Sequence, residues 1–476
     1  PLSKSFENCS FEVRKGEIFG IAGLVGAQRT ELLEAVFGMR SKLPGAKVEF
    51  NGKELNINSP KDAIDNGIAL ITEDRRARGI FGVLSVSDNV AIASISDYLR
   101  YRFLLDHKAI KDVVDNLLSG LKWNPEVYKG VIFFASSDYD FSKLSVELKN
   151  RFSEAEVVGT STSGEISSKG FTKGTIVLTA FKCEKTILSG VLVEGVDKFP
   201  IIHKQKIIDA MARCNIYPGN PNSHKHSFAL TFVNGLCNAE EAFLSLFYPI
   251  IQNDNFIVAG GSAGDDLKFR ETYVSYNGQT ISDGAVILFF TTELKIDIRK
   301  ENIYKPSGKQ VRITKVDTKT RTIKSINNKN AKVEYASVVN RPISEISNAI
   351  LDHPFGRVFG ANIFISSLAS FNADDSINMY CRVLPNSTVD VLEPDDYESI
   401  TVKTCDEILE AIPKPQFVLL VNCILRTINF ENKNACQKLT QLYNEKFPVW
   451  CGFSSYGEQF GKMNSNQTLV SIVLGE

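Results

Sequence analysis

Three stretches of this chain share one cadence: VVGTSTSGEI at 157–166, IVAGGSAGDD at 257–266 and VWCGFSSYGE at 449–458. Each closes an apolar strand with glycine, small residues that are mostly hydroxylated, a second glycine and an acid. Each also lies in a similar setting. GVIFFAS (130–136), a helix over 140–152, the first turn and GTIVLTAF (174–181) make one unit. HSFALTFVNG (226–235), a helix over 238–250, the second turn and GAVILFF (284–290) make another. FVLLVNCIL (417–425), a helix over 432–446, the third turn and TLVSIVL (468–474) make a third. Repetition of a strand–helix–strand–turn–strand unit predicts layered mixed sheets with helices, an α/β class; a solenoid would repeat every 20–50 residues. Short alternating strands and an NNKN turn over 301–345 predict an antiparallel excursion that opens a new domain near residue 300.

Composition limits what such a chain can meet. Lys+Arg 54 against Asp+Glu 55 gives no basic excess for nucleic acid or an anionic membrane. The nine cysteines contain no C-x-x-C and fit no disulfide framework or zinc site, so reduced thiols in a cytoplasm are expected. No run of about 18 apolar residues predicts a membrane span. The chain starts at Pro1 without an apolar leader, and it reads as cut from a longer one.

The N-terminal part has a different pattern. SFEVRKGEIFGIA (10–22) reads as two strands joined by a Lys-Gly turn, and GLVGAQRTELLEAVFG continues into a helix beginning near Arg29. A phosphate loop laid on Gly23, Gly26, Arg29 and Thr30 finds Gln28 for its second glycine and Arg29 for its lysine. Arginine's planar fork does not copy the compact charge of lysine. With GIALITEDRRARGIF and SVSDNVAIAS following, residues 1–106 resemble the second nucleotide-binding half of sugar-importer ABC ATPases. The signature sequence, the Asp-Glu strand and the switch histidine of that family do not follow: VDVLEPDD at 389–396 has Leu392 where the aspartate belongs. The expectation is an incomplete P-loop-type α/β fragment that does not hydrolyse ATP and binds it weakly at most, so the protein requires no cofactor.

The glycine turns allow several chemistries. A phosphate loop needs a following helix, but ISSKGFTKGTIVL has no helical period. A nucleophile elbow needs G-x-S-x-G in register, and none of the turns supplies it. His224 and His226 lie in a polar loop without a third ligand, so no metal and no catalytic residue is assigned. What remains is a strand-end turn that exposes hydroxyls, amides and an acid at a sheet edge, suited to a small polar ligand. Glu165, Asp265, Asp266 and Glu458 would face an amine; Ser161, Ser163, Ser262, Ser454 and Ser455 would face a carboxylate or hydroxyl. In the third turn, Gly452 and Tyr456 flank these serines, and Asn422 and Arg426 are expected to approach from the preceding strand. Arg426 would pair with a ligand carboxylate, or else with Glu458 internally. A purely structural role for these turns stays open.

FFASSDYD, VVGTSTSGEI, VAGGSAGDDLKF and SDGAVILFF resemble the N-terminal FIST domain; VRITKVD, NCILR and WCGFSSYGEQFGKMNSNQTLVSIVL resemble its C-terminal partner. FIST stands for F-box and intracellular signal transduction. The resemblance implies FIST halves at 107–300 and 301–476, a non-enzymatic sensor of small ligands with amino acids as candidates, and a signalling output partner. The alternatives are the ATP-binding subunit of a sugar transporter and a protein-docking scaffold.

Overall fold

The computed structural model describes residues 9–22, 28–40, 45–70, 99–100, 104–105, 107–119, 124–196, 200–360 and 362–476. They fall in two units, Pro1–Asp106 and His107–Glu476.

In the first unit, residues 9–22 form a single turn at Lys15–Gly16 and no strand. Alternation there has no partner strand among the described residues, and an unpaired extended segment lacks the ladder that defines a sheet. A helix spans Arg29–Val36 behind Gln28, whose φ of 63° is left-handed and which makes no side-chain cap. That is the position of the motif's second glycine, where a side chain is disfavoured. The helix leaves Leu33 exposed and buries Glu34 against Arg40. Gly23 and Gly26, and the segments from residue 71 to 98, lie outside the described residues. A short hairpin (Val48–Phe50, Lys53–Leu55) and a helix Pro60–Asp65, held by a Ser59/Asp62 capping box, complete what is described before residue 99.

The second unit opens with a helix His107–Leu118 and then runs through three βαβ-type repeats. The first contains β1 (Gly130–Ser136), α1 (Phe141–Arg151), β2 (Glu156–Thr162), the hairpin β3 (Glu165–Ser167) and β4 (Gly170–Thr172), and β5 (Ile176–Phe181). After β6 (Thr186–Glu194) and α2 (Lys204–Arg213), the second contains β7 (Ser227–Val233), α3 (Glu240–Ile251), β8 (Val258–Ser262), the hairpin β9 (Val274–Tyr276) and β10 (Gln279–Ile281), and β11 (Gly284–Thr292). β12 (Lys295–Asn302) then leads into the excursion: β13 (Tyr304–Asp317), β14 (Thr322–Ile326), α4 (Ala331–Val339), β15 (Phe355–Phe359), β16 (Asn362–Ser366), β17 (Leu368–Phe371), β18 (Ile377–Met379) and β19 (Thr388–Pro394). The third repeat, behind α5 (Tyr397–Ala411), holds β20 (Pro415–Cys423), α6 (Ile424–Asn432), α7 (Cys436–Lys446), β21 (Trp450–Ser455), the hairpin β22 (Glu458–Phe460) and β23 (Met463–Ser465), and β24 (Thr468–Gly475).

Two boundaries differ from expectation. The strand foreseen over 417–425 stops at Cys423, and the helix foreseen over 432–446 is Cys436–Lys446, preceded by an additional helix Ile424–Asn432 across Lys433–Ala435. Ile424 and Leu425 prolong the apolar run without alternation, and an apolar run alone does not separate a buried strand from a buried helix. The excursion is also larger than the 301–345 segment, because its antiparallel sheet runs from β13 to β19.

In each repeat the first two strands pair in parallel across a helix, and the last strand pairs antiparallel with the first. The hairpin after each glycine turn leaves its own sheet. β3–β4 adds to β21 of the third repeat, β22–β23 adds to β8 of the second, and β9–β10 adds to β2 of the first. The exchange is cyclic, so each sheet is completed by another repeat's hairpin. Phe134 of β1, Phe232 of β7 and Phe453 of β21 meet between the sheets, with ring centroids 4.7–5.8 Å apart. All three are fully buried. Packing of this kind joins the repeats into one core.

Candidate functional site

Cyclic exchange brings the three glycine turns together. Gly264 N donates to Ser161 O at 3.0 Å; Ser163 N donates to Ser454 O at 3.0 Å, and Ser454 N to Gly164 O at 2.8 Å. Ser262 N donates to Gly457 O at 2.7 Å, and Tyr456 N to Ser262 O at 3.0 Å. Each turn therefore hydrogen-bonds both others, and the expected exposure at a sheet edge is not what forms. Ser161, Ser163, Glu165, Ser262, Asp265, Ser454, Ser455 and Glu458 are all buried. The reason is topological: the edge that each turn leaves is covered by a hairpin from another repeat.

Inside this cluster most polar groups satisfy one another, while the buried Ser163 Oγ finds no partner among the described residues. Glu165 accepts from the Thr162 hydroxyl and, on its other oxygen, from Thr175 N at 3.1 Å and the Thr175 hydroxyl at 2.6 Å. Glu458 repeats the pattern, with the Ser455 hydroxyl at 2.5 Å, Thr468 N at 3.2 Å and the Thr468 hydroxyl at 2.8 Å. Burial pushes the Glu165 carboxyl up to about 7 and that of Glu458 up to about 8, although the hydrogen bonds oppose it. Ser161 Oγ donates to Gly264 O and accepts from Tyr273 N. Ser262 Oγ donates to Glu240, which with Glu241 binds the buried Arg321 of the antiparallel sheet at 2.8 and 2.5 Å.

Arg426 is placed elsewhere than expected. It is fully buried, makes its ion pair with Glu301 of β12 and lies 5.0 Å over the Phe430 ring. The Arg426–Glu458 pair is not formed: α6 starts immediately after β20 and carries Arg426 away from the turn. Asn422 does reach the third turn: its backbone carbonyl accepts from Ser455 Oγ at 3.2 Å, and its side chain donates to Thr427 Oγ1 at 2.8 Å, which contacts Ser454 Oγ at 2.8 Å. Gly452 carries no contact group; a Cβ there would stand 2.1 Å from Leu420 O. Arg29 and Thr30 lie in the first turn of their helix in the N-terminal unit.

The second turn continues into a strained rim. Asp265 accepts from Phe269 N at 3.0 Å, Arg270 N at 2.6 Å, Glu271 N at 3.1 Å and the Tyr456 hydroxyl at 2.5 Å. Asp266 accepts from Ser136 Oγ, Ser137 N and Ser137 Oγ. Wrapping the chain around these acids leaves Asp266, Leu267 and Phe269 at φ of 56°, 62° and 50°. A left-handed backbone costs on the order of 1–3 kcal/mol at a bulky residue and clusters at ligand clamps. Here it turns Leu267 and Phe269 outward, 39% and 52% exposed. Phe269 stacks on Tyr456, with centroids 5.4 Å apart and planes at 18°.

Between this rim and the N-terminus of α6 is a shallow, solvent-open depression with a cavity of about 10 Å³, lined by Leu267, Phe269, Tyr380, Ile424, Leu425 and Tyr456. It stands at the carboxyl ends of the parallel pair β20–β21, where α/β sheets collect ligands. Of the residues singled out in the sequence, Tyr456 alone lines it. The other five were missed, because the unbroken apolar run through Ile424–Leu425 does not separate a strand end from a helix start.

The FIST N domain matches residues 129–329 and the FIST C domain residues 306–461. The N-terminal residues are similar to sugar-importer ATPases. Identity to the galactose/methyl galactoside import ATP-binding protein MglA of Clostridium tetani is 50% over 116 residues, 24% of this chain and 23% of that protein. To the MglA of Fusobacterium nucleatum it is 48% over 117 residues, 24% and 23% of the two chains. To that of Yersinia pestis it is 45% over 107 residues, 22% and 21%. The chain thus spans less than a quarter of the length of these curated relatives.

Proposed function

The chain belongs to the FIST family through its FIST N and FIST C domains over 129–461, and from that premise we propose that His107–Glu476 is a non-enzymatic sensor that binds a small metabolite, in the size range of an amino acid, and passes the signal to an output partner in the cytoplasm. The observation that carries the reading is the depression at the carboxyl ends of β20 and β21, rimmed by left-handed Leu267 and Phe269. The left-handed turn lets Asp265 collect three backbone amides and at the same time presents Leu267 and Phe269 at the rim, where a ligand can meet them.

The groups around the depression suit binding better than turnover. Burial raises the Cys381 and Cys423 thiols well above their ordinary value, which removes them as thiolate nucleophiles. The Ser137 hydroxyl accepts from Lys268 Nζ at 2.9 Å and donates to Asp266 at 2.8 Å, so it is held by two partners and faces no histidine base among the described residues. In the N-terminal unit, the left-handed Gln28 and the Arg29 substitution favour a nucleotide-binding remnant that does not hydrolyse ATP. A transport ATPase subunit is the second reading, favoured by the 50% identity of that segment to an import protein.

A thermal-shift screen of the full chain against metabolites tests the proposal. Compounds that bind raise the melting temperature, and Phe269→Asp, which puts a charge at the mouth, should abolish their effect. A screen without any Phe269-dependent shift would count against the sensor reading. Magnesium-dependent ATP turnover by the purified chain would favour the transport reading.

A further inference from the structure

We propose that the outer edge of β5 is an open strand position and that an extended, apolar segment of a partner protein docks there, adding to the first sheet as an antiparallel strand. The three repeats themselves point to it. The last strand of the second repeat, β11, lies between β7 and β6, and that of the third, β24, between β20 and β12, antiparallel to both neighbours. The last strand of the first, β5, has β1 on one side and no strand on the other among the described residues. Burial follows the same division: β11 and β24 are buried along almost their whole length, and β5 is half-buried at every position. The helix that goes with each added strand has its counterpart here. α2 packs on β6 and α5 on β12, while His107–Leu118, which precedes the first repeat as α2 and α5 precede theirs, packs on α1. The edge shares no residue with the depression.

Ser136 N donates to Thr175 O at 3.1 Å, which sets the parity of the ladder. Val177, Thr179 and Phe181 turn their backbone groups to β1, and Ile176, Leu178 and Ala180 turn theirs outward, where no hydrogen bond reaches them among the described residues. Such an edge invites another strand, and proteins blunt it with charge, shortness or a cover. The other edges of the three sheets are blunted. β4, β10 and β23 have three residues each. β12 carries Lys295, Asp297, Arg299, Lys300 and Glu301. On β6, Gly190 N donates to Glu156 Oε2 at 3.3 Å and Gly190 O accepts from Arg213 Nη2 at 3.2 Å. β5, IVLTAF, has neither charge nor proline. A second copy's β5 is the poorer occupant, because its side chains are committed to their own cores, Ile176, Leu178 and Ala180 on one face and Val177 and Phe181 on the other. An incoming segment has to bring free apolar side chains for both faces, as β6 does with Val191 and Val193 on one and Leu188 and Leu192 on the other. Main-chain bonds then give affinity and these side chains select the partner.

The peptide TILSGVLVE, the sequence of β6, added in trans to the full chain tests this. It should bind and should slow backbone-amide exchange at Ile176, Leu178 and Ala180. Ala180→Pro, which removes one outward N–H and leaves the ladder to β1 whole, should weaken binding about tenfold. A second measurement leaves the protein untouched. Of the two forms of the peptide N-methylated at alternate residues, the one whose remaining N–H groups face β5 should bind like the parent, and the other should not. Binding indifferent to Ala180→Pro and to both methylation patterns overturns the proposal, as does failure to bind of both this peptide and KIDIRKEN, the sequence of β12. Slow exchange at the three amides before any addition would mean that the chain covers its own edge. A concentration-dependent dimer lost in Ala180→Pro would make a second copy the occupant. Either outcome refutes a partner segment.

Discussion

Glu165 and Glu458 are separated by most of the second unit and occupy the same cradle, one hydroxyl three residues back and a threonine ten residues on. Their carboxyls lie above the ordinary 4.5, at about 7 and about 8, because burial disfavours the charge. The folded protein therefore holds these protons more tightly than the unfolded chain. Their contribution is fully present below pH 4.5 and is lost as pH rises through about 7 and 8. Melting temperature measured across pH 4.5–8.5 should fall through that window on their account, and Glu165→Gln with Glu458→Gln should flatten the fall. An unchanged slope in the double variant would show that these carboxyls are not the titrating groups. Arg426 makes a different kind of case. Removing it strands Glu301 as a buried charge, so Arg426→Ala should cost about 3–5 kcal/mol in a denaturant titration. Replacement with little loss of stability would mean that Glu301 finds other relief. The sequence marked Arg426 as unusual through its place after a buried strand, but its partner lies 125 residues away, on β12, and no local pattern names it.

At the level of strands and helices, most of the repeats were readable because their apolar runs have a length and a flanking turn that fit one element type, the run across β20 and α6 excepted. β1, α1, β7, α3 and β24 lie where the pattern puts them. The fate of the turns was not readable. A glycine-rich strand end looks the same whether its next hairpin returns to its own sheet or crosses to another, since pairing partners are set by tertiary contacts. The exchange makes a specific prediction. Ala259 of β8 and Phe460 of β22 are opposed in the antiparallel ladder, so their Cα atoms fall in the range that a disulfide bridges. Ala259→Cys with Phe460→Cys should cross-link within one chain on mild oxidation, detected by peptide mapping. Absence of that peptide, with the protein folded, would contradict the hairpin's placement. The mid-strand glycines belong to the same scale. Gly452→Ala should destabilise by roughly 1–3 kcal/mol through overpacking, because the added Cβ meets backbone at 2.1 Å and cannot be relieved by a side chain moving.

For the molecule as a whole, the two units differ in what they bury. The second unit has cores on both sides of its sheets, including clusters around Phe243 and Phe247, around the Phe134–Phe232–Phe453 group, and around Trp450 and Tyr443. Among the described residues of the first unit, the buried apolar side chains are Ala35, Ile57 and Ala63, while Ile18, Phe19, Leu33, Met39, Phe50 and Ile64 are exposed. Folding must offset on the order of 1–2 kcal/mol of backbone entropy per residue, mainly through apolar burial. The described part of that unit covers little of its apolar surface, and its relatives carry the corresponding segment within chains more than four times as long. Residues 107–476 expressed without the first unit should therefore be soluble and unfold in one cooperative transition at nearly the melting temperature of the full chain. Residues 1–106 expressed alone should show no cooperative melt and no protection of backbone amides from exchange. A cooperative transition in the isolated first unit would mean that it holds a core of its own, and loss of one in the second would mean that the stability of the FIST unit depends on the ATPase-like fragment.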